Sequence, residues 1–143
     1  MIVVDANLLI YSYDKASPHY KKSRLWLEDA FSGPDIIGLP WQSVGAFLRV
    51  MTNPKLHGRQ YSLGEATEIV DAWMEQSNVR ILTPTDGHWF QFRTMIIEGT
   101  ACGALASDAE IAALTVEYGG VLHTVDRDFA RFPGLRWVNP LEL

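Results

Sequence analysis

Four aspartates in this 143-residue chain stand at points where the sequence changes character. Asp5 interrupts the apolar stretch MIVVDANLLIY, between Ile2-Val3-Val4 and Leu8-Leu9-Ile10-Tyr11. A carboxylate in such surroundings costs several kcal/mol unless it has a partner. Asn7, two residues on, either caps a short helix or orients Asp5. Asp108 lies in SDAEIAALTVEYGG, and Asp126 and Asp128 lie in TVDRDF after the run VLHTV. Each has a plainer reading. Asp108 suits a helix cap, Asp128 a solvated turn and Asp5 a structural pairing. As a set they mean more. Acids gathered at one edge repel one another and demand a counter-charge, and no lysine or arginine stands ready for all four. A divalent cation meets that demand. An all-oxygen donor set suits Mg²⁺ or Mn²⁺. Zinc fits poorly, because Cys102 is alone and the four histidines show no ligand spacing.

Alternating strands and helices are expected to bring these residues together. Residues 2–5, 36–39, 79–82, 121–124 and 136–138 read as short strands by their apolar and β-branched content. A short helix is expected over 6–13. Ser17-Pro18 reads as the start of a second, Pro40 of a third and Ser62-Leu63-Gly64-Glu65 of a fourth, the last through a capping box. Further helices are expected over 86–98 and from the capping pattern Ser107-Asp108-Ala109-Glu110 to about Tyr118. KLHGRQY reads as a loop and GTACGALA as irregular. The fold class is therefore α/β, a mostly parallel sheet between helical layers. Ligands bind such sheets beyond the carboxyl ends of the strands. Asp5 and Asp126 should both reach that edge.

Composition sets wider bounds. One domain spanning 1–143 is expected, with 48% apolar residues and no repeat or long linker. No apolar run approaches the roughly 20 residues that span a bilayer. With no basic segment before the apolar start and one cysteine, a cytoplasmic protein is expected. The net charge of −5 argues against broad, nonspecific nucleic-acid binding but leaves room for a local basic patch.

Three blocks, MIVVDANLLIY, LPWQSVGAFLRVMTNP and SDAEIAALTVEYGGVLHTVDRDFARFPGLRWVNP, resemble the PIN-domain ribonucleases, specifically the VapC toxins of bacterial toxin–antitoxin systems. The match runs in order over nearly the whole chain, and the last block is its most specific part. The resemblance implies an α/β/α sandwich that hydrolyses RNA phosphodiesters with Mg²⁺ or Mn²⁺. Asp5, Asp108 and Asp126 match the catalytic metal-binding aspartates, and Asp128 matches a frequent fourth acid. In that scheme Asp5 and Asp108 hold the metal, while Asp126 binds a second ion or orients the attacking water. Arg49 matches the basic residue of the middle helix. One departure stands out: many members carry Glu three residues before that arginine, and here the position is Ala46. The resemblance further implies a homodimer, and a cognate VapB-type antitoxin whose C-terminal segment fills a groove beside the active site.

RNA requires a basic approach path. Candidates are Lys15, Lys21, Lys22 and Arg24, then Arg127 and Arg131, then Lys55, His57 and Arg59. His57, Tyr61 and Trp41 could stack on unpaired bases, with packing at a helix start the favoured reading of Trp41. Five tryptophans in so small a chain suggest that some lie at an interface. Two other classes compete. A phosphoaspartate phosphatase or receiver-like module would use Asp5 as phosphoryl acceptor, but Asn7 and the single acid of MIVVDANLL do not fit. A catalytically weak interaction module would keep the fold, and Ala46 favours it.

Overall fold

A computed structural model describes residues 1–56 and 61–143. The chain forms a five-stranded sheet in the order β3-β2-β1-β4-β5, from β1 (Ile2–Val4), β2 (Ile37–Pro40), β3 (Val79–Leu82), β4 (Val121–His123) and β5 (Trp137–Val138). Every pairing is parallel. The α/β expectation holds, and each strand lies within one residue of its expected bounds.

The strand period of two sorts the central residues between two layers. Val4, Ile37 and Leu39 face α1 (Ala6–Tyr11), α2 (Tyr20–Ser32), α3 (Trp41–Met51) and α4 (Leu63–Glu75), where Leu8, Leu27, Phe47 and Trp73 complete one core. Val3, Leu82 and Leu122 face α5 (His88–Glu98) and α6 (Leu105–Glu117), with Met95, Phe129 and the small Ala109, Ala112 and Ala113 in the other. At Gly38 a Cβ would stand 2.9 Å from both Leu82 Cδ1 and Met1 Sδ, so a side chain there would have to push the ends of those two side chains aside. His88 places one ring nitrogen 2.7 Å from Glu117 and the other 3.0 Å from Glu110. Both partners are carboxylates, which favours the imidazolium and ties α5 to α6.

This layering positions the site. The chain steps outward from β1 to β2 and β3 beneath one layer. It then returns beneath the other to β4, beside β1, and moves on to β5. Direction reverses between β1 and β4, and a crevice opens beyond the carboxyl ends at such a reversal.

Three helix starts differ from the expectation; α5 begins at His88 rather than at residue 86. The second helix begins at Tyr20, not at Ser17-Pro18. The Asp14 carboxylate accepts from Ala16 N, and Ser17 Oγ accepts from His19 N, so these polar side chains build turns ahead of the helix. The late helix begins at Leu105, with Ala104 at the cap and no side-chain cap bond. Ser107 and Asp108 therefore lie inside it. The capping box at Ser62 and Glu65 is as expected, each side chain meeting the other's backbone N–H at 3.1 and 2.9 Å. Among the described residues no helix is long and apolar enough to cross a membrane.

Candidate active site

The sheet hands Asp5 to the crevice. Its backbone N donates to His123 O at 3.1 Å, continuing the β1–β4 ladder one residue past the strand. Its side chain then caps α1, Oδ1 accepting from Ala6 N at 2.8 Å. Ser43 Oγ donates to Val4 O at 2.7 Å and so pins the start of α3 against the same strand end. Asp5 is only 7% exposed.

A hydroxyl joins the aspartates of the two strands. Thr124 Oγ1 donates to Asp5 Oδ2 at 2.7 Å, and accepts from Asn7 Nδ2 at 3.2 Å and from Asp126 N at 3.0 Å. Asn7 Nδ2 also donates to Asp5 Oδ2 at 3.0 Å. Asn7 thus both sits in the first turn of α1 and orients Asp5. Its amide orientation follows from the chemistry, since an ionised carboxylate only accepts. Asn7 Oδ1 is left buried without a partner. Asp126 Oδ1 accepts from Asp128 N at 2.9 Å, opening the short 3-10 turn of Arg127–Arg131.

Asp108 reaches the group from α6. Burial, then the charges of Asp5, Asp126 and Asp128, push its carboxyl up to about 6, against the opposing pull of Arg131. Burial raises Asp5 as well; the bonds from Thr124 and Ala6 oppose that rise, and Asp126 adds to it. Four carboxylates therefore share one field, with Asp128, itself exposed, on the outside. A cleft of about 620 Å³ lies between α1, α3 and α6, lined by Asp5, Asn7, Gln42, Arg49 and Asp108 among others. Asp126 and Asp128 do not line it and act from its edge.

These donors fit a hard divalent cation. They are all oxygens, they repel one another, and Asn7 adds a buried acceptor with nothing to accept. Among the described residues no three His, Cys, Asp or Glu side chains close into a cage of their own.

The basic residues divide differently from the expectation. Arg131 donates to the carbonyls of Asp128, Gly99 and Thr100, which ties down two of its nitrogens. Arg127 pairs with Glu142 at 3.3 Å. Arg24 pairs with Glu28 at 2.9 Å and lies over the Tyr13 ring. Lys21 and Lys22 are exposed on α2, and Lys22 lines a separate pocket with Tyr11, His19 and Glu142. Arg49 alone of these candidates lines the cleft, and it makes no ion pair among the described residues. A salt bridge does not account for it. His57 and Arg59 lie outside the described residues. Ala46 also lines the cleft, so α3 brings no acid to it.

The sequence reading passed over the hydroxyl of Thr124, although it lies at the same strand edge, two residues before Asp126. Thr124→Val keeps the shape but leaves Asp5, Asn7 and Asp126 N each one partner short. A loss of about 1–2 kcal/mol in urea unfolding is expected, and unchanged stability would contradict this bonding scheme.

A parallel α/β sandwich that gathers carboxylates at its reversal point offers hydrated divalent cations a donor set. The comparisons narrow that class. Residues 2–135 match the PIN domain. Ribonuclease VapC37 of Mycobacterium tuberculosis is 35% identical over 98% of this chain and 97% of its own length. Ribonuclease VapC33 of the same organism is 31% identical over 99% of each. Among solved structures, VapBC-1 from nontypeable Haemophilus influenzae superimposes with a TM-score of 0.68 at 17% identity, covering 98% of both chains. The chain belongs to the PIN domain family, in its VapC group.

Proposed function

We propose that the protein is the ribonuclease toxin of a VapBC-type toxin–antitoxin pair, hydrolysing RNA phosphodiesters with Mg²⁺ or Mn²⁺. The carrying observation is the convergence of Asp5, Asp108, Asp126 and Asp128 at the cleft and its edge, where burial first and the three neighbouring charges next push the Asp108 carboxyl up to about 6. The full-length likeness to proteins named ribonucleases supports it.

Asp5 and Asp108 are the residues that would hold the cation, with Asn7 Nδ2 fixing the orientation of Asp5. When bound, the cation polarises a phosphoryl oxygen and makes a water molecule more acidic. Asp126 has one oxygen engaged by Asp128 N, and its other oxygen takes the proton of the attacking water. Thr124 holds Asp5 and the Asp126 backbone in register. Arg49 supplies positive charge on the cleft wall for substrate phosphate.

Partners follow the same reading. The cleft beside Asp5 and Asp108, walled by Ile10, Ala46, Val50 and Ile111 among others, is where an antitoxin segment would lie. Trp89, Phe90 and Ile97, all exposed on α5, suit a second copy of the chain. Purified protein freed of antitoxin should cut total RNA into discrete fragments with Mg²⁺ or Mn²⁺ and stop with EDTA. Cleavage indifferent to EDTA contradicts the metal role. No cleavage by folded protein favours the weak interaction module, which the cleft-facing Ala46 also favours.

A further inference from the structure

Three residues of α3 form an exposed stripe at positions i, i+4 and i+8: Trp41, Gly45 and Arg49. Gly45 and Arg49 line the cleft that holds Asp5 and Asp108. Trp41 heads the stripe. It is 55% exposed and does not pack into the helix start as the sequence suggested. Its ring stacks on no other aromatic among the described residues. A Cβ at Gly45 would meet nothing within 4 Å, so the helix backbone lies bare between the two side chains. At 1.5 Å per residue, Trp41 and Arg49 stand about 12 Å apart along the axis.

We propose that Trp41 is a base-stacking residue and that the stripe receives an unpaired RNA segment, one base on the indole and an adjoining phosphate on Arg49. The inference rests on the ribonuclease reading and adds to it a residue that positions an unpaired strand beside the cleft. A base can lie on an indole only where it has left its own stack, which a continuous duplex does not allow. A protein partner is the competing occupant, and the stripe suits it less. Its centre is a glycine and its far end a cation that makes no ion pair among the described residues, with no apolar core such as Trp89, Phe90 and Ile97 give α5. Trp41 is accordingly a positioning residue that sets KM and strand preference, not one that touches the reacting atoms.

The test uses single-stranded and duplex forms of one RNA oligonucleotide. Binding is read by anisotropy in the Asp5→Asn background and cleavage in the otherwise unaltered protein. Trp41→Ala should weaken single-strand binding and raise KM about tenfold, leave kcat within about threefold and erase most of the preference over duplex. Trp41→Phe should restore most of the affinity. Arg49→Ala should lower the slope of log affinity against log salt by about one. Trp41 is exposed, so these variants should melt with the parent. Cleavage by the parent with KM unchanged in Trp41→Ala overturns this inference alone. So does a Trp41→Ala effect that tracks a change in oligomeric state by light scattering, which makes Trp41 a protein contact. A parent that neither binds nor cuts the oligonucleotide in either form overturns the ribonuclease reading and this inference together.

Discussion

Asp5→Asn should lower the rate of RNA cleavage at least about a hundredfold, the scale of losing a group that positions charge in the transition state. The fold should survive. Burial holds the Asp5 carboxyl above its usual range, so neutralising it removes a desolvation cost. Against that, the new amide group turns one N–H pair toward Asn7 Nδ2, which now donates to Asp5 Oδ2. The Thr124 hydroxyl can rotate, and the bond from Ala6 N can persist on the remaining oxygen. The two effects roughly offset. Initial cleavage rates measured beside thermal melts decide the matter. A variant that keeps its rate within about threefold of the parent removes Asp5 from the chemistry.

Asp108→Asn should also abolish cleavage but, unlike Asp5→Asn, leave a more stable protein. The carboxyl of Asp108 is raised to about 6 by burial and by three like charges. A raised carboxyl stabilises the fold only while it is protonated. That contribution is complete below the ordinary value of 3.8 and is lost as pH rises through about 6. At pH 7.5 in EDTA the ionised side chain is therefore a net cost. Two pK units correspond to about 3 kcal/mol. Screening of this half-buried group reduces that to about 1 kcal/mol, or roughly 3 °C in Tm. In EDTA, Asp108→Asn should melt higher than the parent at pH 7.5, and the difference should vanish near pH 4. Added Mg²⁺ should raise the parent's Tm more than the variant's, because only the parent keeps the full donor set. An Asn variant that melts lower than the parent at pH 7.5 in EDTA would contradict the crowding of charge at Asp108.

Both outcomes bear on what the sequence could show. Asp5 was legible because a charge in the middle of MIVVDANLLIY demands a partner. Asp126 was legible because it follows a strand whose carboxyl end must face a crevice. Asp108 was legible as an acid but not in its setting. SDAE satisfies the capping-box pattern, yet the helix starts three residues earlier. Leu105 N and Ala106 N bond the carbonyls of Cys102 and Gly103 at 3.1 and 3.0 Å, and Gly103 turns the chain with φ of +58°. Backbone bonds do the work of a cap, which leaves the Asp108 carboxylate free for the crevice. The contributions of α3 were legible only through the resemblance, which singled out Arg49 and Ala46. Which of Trp41, Gln42, Gly45 and Arg49 faces the acids depends on how α3 docks across the end of β1. That docking rests on long-range contacts such as Ser43 Oγ to the carbonyl of Val4. Trp41 misled for the same reason, since an aromatic at a helix start reads as core until the neighbouring layer is in place.

Mn²⁺ binding to RNA-free, antitoxin-free protein, followed by calorimetry in the parent, Asp5→Asn and Asp108→Asn, tests most directly whether these carboxylates jointly hold a cation. Saturable binding by the parent that weakens at least about tenfold in each variant, while all three stay folded, is the result this structure predicts. Parent-like binding in both variants, or none in the parent, would contradict it.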